Sequence, residues 1–107
     1  MNLSIRQEEN QGVIVLYLSG EIDAFTATKL REELIPLAEL GQTVRVDLSN
    51  VDYIDSTGLG VFIGALKAIH DKNGTLTLAG MSKRIQRLFS ITGLDEVISI
   101  EEEEGSK

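Results

Sequence analysis

The spacing of apolar and polar residues changes several times along the chain. Leu3 and Ile5 alternate with polar neighbours, the two-residue period of a strand with one covered face. Val13 to Leu18, VIVLYL, is apolar throughout and reads as a central strand covered on both sides at least in part. The polar stretch QEENQG between them predicts an antiparallel hairpin. From Ala24 the period becomes helical. Ala27, Leu30, Leu34, Leu37 and Ala38 recur on one face, and Gly41 ends the run. Pro36 removes the backbone bond to Glu32, which predicts a kink, although the apolar stripe continues in phase past it.

Val44 to Leu48 alternates with Val44, Val46 and Leu48 on one face, and Thr75 to Ala79 does the same with Leu76 and Leu78. Both strands turn polar residues (Arg45, Asp47, Thr75, Thr77) to the other face, which predicts helices packed mainly on one side of the sheet. Between them a helix is expected from about Thr57 to Asp71, burying Leu59, Phe62, Ile63, Leu66 and Ile69 and ended by Asn73-Gly74. A third helix is expected near Lys83 to Thr92 with Ile85, Leu88 and Phe89 buried. Thr92-Gly93-Leu94 breaks it, and Val97 to Ile100 fits a last short strand. The order β-β-α-β-α-β-α-β predicts an α/β domain with a mixed, mainly parallel sheet and an antiparallel N-terminal strand. No repeat or linker divides residues 1–107, so one domain is expected.

Composition narrows the function. Of 107 residues 42% are hydrophobic, enough for a core. No run approaches the ~18 apolar residues of a membrane span, and MNLSIRQEEN lacks the layout of a signal peptide. The chain has no cysteine, which excludes disulfides, thiolate catalysis and zinc–thiolate sites, and a reducing cytoplasm is the expected location. The formal net charge is −7, a poor match for a nucleic-acid backbone. Lys83, Arg84 and Arg87 form the one compact basic cluster, which reads as a solvated helix face. Residues 101–107, EEEEGSK, are expected to fray into solvent.

The junction YIDSTGLG, residues 53–60, carries the candidate chemistry. It lies where a strand passes into a helix at the C-terminal edge of the parallel strands, where open α/β folds keep their sites. Asp55, Ser56 and Thr57 all suit a helix N-cap, so plain capping is one reading. A nucleophilic serine needs a base in reach. The single histidine, His70, lies fourteen residues along the same helix, about 20 Å away at ~1.5 Å per residue. No nucleophile elbow and no phosphate-binding loop G-x-x-x-x-G-K-[ST] occur, and no metal or cofactor site is expected. A phosphoacceptor hydroxyl at Ser56 is the third reading, exposed at a helix start beside two glycines. Gly58, Gly60 and Gly64 weaken a helix by about 1 kcal/mol each relative to alanine. Gly60 and Gly64, four apart, would admit a closely packed neighbour, or the bare helix end would meet a partner protein.

Three motifs in register, GEID (20–23), DSTGLGV (55–61) and RLFSITGL (87–94), resemble the anti-sigma-factor antagonist family, which has the STAS fold. The similarity runs from about Leu3 to Ile100 and is strongest to the stress-response antagonist branch of Bacillus-type bacteria. The resemblance implies partner switching. The unmodified protein binds an anti-sigma factor that is also a serine kinase, which frees a sigma factor for transcription. Phosphorylation by that kinase ends binding, and a metal-dependent serine phosphatase restores it. By motif the phosphoacceptor is Ser56, with Thr57 the less favoured neighbour, and Asp23 matches an acid placed beside the serine on the kinase-facing surface. The partner surface expected from this reading comprises Asp23, Asp55, Ser56, Thr57, Gly58 and Gly60. The expected protein is a cytoplasmic, non-enzymatic monomer with no cofactor, no direct nucleic-acid contact and no membrane contact. The alternative is a STAS-type scaffold or small-ligand-binding module within a signalling assembly.

Overall fold

The structure, a computed structural model, describes residues 2–101. Strand β1 (Leu3–Asn10) turns through Gln11-Gly12 into β2 (Val13–Ile22). Both turn residues have positive φ, 55° and 85°, the backbone that a two-residue hairpin requires. Then follow α1 (Ala27–Glu39), β3 (Thr43–Ile54), α2 (Ser56–Asp71), β4 (Thr75–Ala79) and α3 (Lys83–Ile91). A 3₁₀ turn (Leu94–Glu96) leads into β5 (Ser99–Glu101). The sheet order is β1-β2-β3-β4-β5, with β1 antiparallel to β2 and every other pair parallel. This is the α/β architecture that the apolar pattern predicts.

All three helices supply the core that covers one face of the sheet. Val44, Val46, Leu48, Leu76 and Leu78 meet Leu30 and Leu34 of α1, Phe62 and Ile69 of α2, and Ile85 and Phe89 of α3 in one buried cluster. The Phe62 and Phe89 rings lie 6.1 Å apart and tilted, which joins α2 to α3. The other face of the sheet is polar. There the Arg6 guanidinium sits 4.3 Å over the Tyr17 ring, and Arg45 holds Glu101 at 2.6 Å. Val15 on that face is still buried, which fits a central strand covered on both sides.

Helix α1 runs through Pro36 to Glu39 as a single helix, as the in-phase apolar stripe predicts. Pro36 and Glu32 both face solvent, where water can satisfy the carbonyl that lost its donor. Ile63 is 37% exposed rather than buried, because it lies about 100° round the helix from Phe62. Leu37 and Leu88 are only partly buried at the core margin. β3 extends six residues beyond Leu48, because β2 continues to pair with it through two register shifts after β4 has ended. The last strand is Ser99–Glu101 rather than 97–100, since the 3₁₀ turn takes up the chain and leaves Val97 exposed. Glu101 therefore belongs to the sheet and not to the tail; the fraying expected beyond it falls outside the described residues.

Candidate functional site

Residue 55, and not 56, is the N-cap of α2. Asp55 has extended backbone, and its Oδ1 accepts the N–H groups of Thr57 at 2.9 Å and Gly58 at 3.1 Å. These are two of the donors that a helix start leaves without partners. With that role filled, Ser56 stands in the first turn with its side chain exposed and in no hydrogen bond among the described residues. Thr57 beside it is exposed as well.

The helix start is fixed to the end of β2. The Asp55 N–H donates to the Ile22 carbonyl at 3.1 Å. A Cβ on Gly58 would stand 2.6 Å from Ile22 Cγ2, so the glycine allows α2 to sit directly on the strand. The close-packing role predicted for Gly60 and Gly64 belongs to Gly58 instead. A Cβ at Gly60 would meet nothing within 4 Å, and one at Gly64 only Ile35 Cδ1 at 3.8 Å. Gly60 is open surface.

Asp23 follows Ile22 directly and is thereby brought beside the α2 start. Its Oδ1 accepts from the N–H groups of Thr26 at 3.0 Å and Phe25 at 2.9 Å. The Thr26 hydroxyl accepts from the Asp23 N–H and donates to the Glu21 carbonyl. The Thr26 backbone N–H, with that of Phe25 behind it, holds the carboxyl below the usual aspartate range, against an opposing effect of burial. Asp23 is only 7% exposed, so it acts first as the brace of the β2–α1 turn. That brace presents Phe25, 87% exposed. The sequence marks Phe25 only by its phase, out of step with the stripe at residues 27, 30 and 34. His70 lies at the far end of α2, away from Ser56.

A sequence profile of the STAS domain matches residues 4–106. The chain belongs to the STAS-domain family. The anti-sigma-B factor antagonist of Bacillus subtilis (strain 168) is 46% identical to it over 100 residues, spanning 94% of this chain and 92% of that one. Among solved structures, an anti-sigma factor antagonist from Mycobacterium paratuberculosis superposes with a TM-score of 0.83 at 25% identity, covering 92% of this chain and 85% of that chain. The antagonist SpoIIAA shares the fold in both recorded states. Its unphosphorylated form gives a TM-score of 0.75 at 17% identity over 95% of this chain and 91% of that one. Its phosphorylated form, from Bacillus, gives 0.73 at 21% over 96% of each. The named relatives of this STAS chain are antagonists of anti-sigma factors, which is a regulatory role. Among the described residues, no helix is long and apolar enough to cross a membrane.

Proposed function

We propose that this chain is an anti-sigma-factor antagonist, cytoplasmic and non-enzymatic, whose binding is switched at Ser56. The observation that carries the reading is the division of labour at the α2 start. Asp55 does the capping and leaves the Ser56 hydroxyl exposed and unengaged. The unmodified surface, with Ser56, Thr57 and Gly60 open and Phe25 raised beside Asp23, is proposed to bind an anti-sigma factor with serine-kinase activity. The kinase transfers the terminal phosphoryl group of ATP to Ser56 Oγ, the hydroxyl proton leaves to a base on the kinase or to solvent, and ADP is released. A metal-dependent phosphatase hydrolyses the ester and returns the hydroxyl.

Physical chemistry accounts for release. A phosphate adds about 1.5–2 negative charges. A partner lying over Ser56 would have to bury that charge beside Asp55 and Asp23, at several kcal/mol. The test uses the purified anti-sigma factor of the same bacterium, with ADP and then ATP. Ser56→Ala is expected to bind as wild type does and to stay bound in ATP. Ser56→Asp is expected to bind at least tenfold more weakly, about 1.4 kcal/mol. If both variants bind and release as wild type does, Ser56 is not the switch.

A further inference from the structure

Beyond residue 47 the sheet opens. β4 pairs with β3 only as far as Ala79 opposite Asp47, while β3 runs on to Ile54. Helix α3 borders the space that β4 leaves, and a groove of about 380 Å³ lies between them. Its floor is apolar, from Ile54, Ile85 and Leu88. Tyr53 and Ile91 stand on its margins, 43% and 74% exposed. Arg84 and Arg87 complete the lining.

Two features here do nothing for the fold. Ile91 and Tyr53 leave apolar surface in water on either side of one groove. Helix α3, KRIQRLFSI, carries three bases and no acid in a chain of net charge −7. Lys83 and Arg84 occupy its first turn, where the helix dipole disfavours cations. Among the described residues no carboxylate pairs with Arg84 or Arg87. Lys83, Arg84 and Arg87 are all exposed, as a solvated helix face requires, and two of the three also line the apolar groove.

We propose that this groove takes an acidic, amphipathic segment of the anti-sigma factor. Its apolar side chains would lie on Ile54, Ile85 and Leu88, and its carboxylates would meet Arg84 and Arg87. The proposal rests on the partner reading above and adds a second contact to it. The groove begins at Tyr53-Ile54, immediately before Asp55 and Ser56, so one partner can cover both. Charge complementarity selects an acidic occupant, and the open apolar floor selects an amphipathic one. The same arrangement couples the groove to the switch. A phosphate on Ser56 would face the acids of the segment and repel it.

The experiment measures the dissociation constant of the purified anti-sigma factor, with ADP, for wild type, Arg84→Glu/Arg87→Glu, Ile91→Ser and Ser56→Asp. Circular dichroism checks each fold, and Arg84→Ala/Arg87→Ala replaces the reversed pair if that fails to fold. The groove variants are expected to bind at least tenfold more weakly, and the arginine variant is expected to lose much of the salt dependence. A photo-crosslinker at position 91 is expected to join a segment of the partner rich in Asp and Glu. Groove variants within twofold of wild type, while Ser56→Asp is released, would overturn the groove and leave the partner reading standing. Crosslinking to a basic segment, or a groove-dependent dimer in sedimentation, would overturn it as well. If Ser56→Asp binds as wild type does, Ser56 is not the switch and the coupling of the groove to it is overturned; if wild type itself does not bind the anti-sigma factor, the partner reading fails and the groove proposal falls with it.

Discussion

Glycine at 58 and glycine at 60 serve different ends although they share one motif. A Cβ on residue 58 would press into Ile22 Cγ2 at 2.6 Å, inside the contact that seats α2 on β2. Ile22 is fully buried and β-branched, so it has little freedom to retreat. Gly58→Ala is therefore expected to destabilise the protein by about 1–3 kcal/mol, the usual range for overpacking, less up to ~1 kcal/mol gained in helix propensity. Gly60 has open space around its Cα. Gly60→Ala is expected to leave stability unchanged or raise it by up to ~1 kcal/mol. Urea denaturation of the two variants measures both. Equal effects would show that Gly58 is not the seat of the helix. Gly60 then needs an explanation outside the fold, and the proposed partner surface supplies one.

At the scale of elements, the start of α2 shows what a sequence can and cannot disclose. Asp, Ser and Thr in succession are all capping residues, and composition alone does not rank them. The structure ranks them by where the chain enters the helix: the bond from the Asp55 N–H to the Ile22 carbonyl fixes residue 55 as the cap. Asp55→Ala is expected to lose about 0.5–2 kcal/mol, the usual worth of a cap, while Ser56→Ala changes stability by less than ~0.5 kcal/mol. Denaturant midpoints of the two variants test this, and the opposite order would move the cap to Ser56. The elements with a clear period, such as α1 with Leu30 and Leu34 or β4 with Leu76 and Leu78, were legible because burial imposes that period. The length of β3 was not, because Ser49, Asn50 and Asp52 interrupt the alternation while β2 keeps the backbone paired through two register shifts. The role proposed for Ser56 rests on the three motifs together. The bracing of Asp23 and the exposure of Phe25 depend on a turn whose hydrogen bonds leave no periodic trace.

For the whole molecule, the question is whether phosphate at Ser56 acts on the fold or on binding alone. Modification takes the formal net charge from −7 to about −9. Most of that change is screened within about 8 Å at physiological salt, so only the surroundings of the α2 start feel it strongly. There the helix dipole favours the added charge by about 0.3–1 kcal/mol. Asp55 opposes it by about 1 kcal/mol per unit charge at ~4 Å in water. The balance is a destabilisation of no more than about 2 kcal/mol, small against the core that β3, β4 and the three helices share. A domain of this size shifts its melting point by about 4–8 °C per kcal/mol. Stoichiometric phosphorylation of Ser56 is therefore expected to lower the melting temperature by less than about 15 °C. In amide NMR spectra the shifts should concentrate in residues 55–60 and the turn at 23–26, leaving β4 and β5 unmoved. Wholesale shifts across β4 and β5, or a melting point lowered by far more, would mean that the phosphate works by remodelling the domain. Local shifts in a domain that still melts cooperatively would place the switch at the surface, where charge decides whether a partner can lie over Ser56.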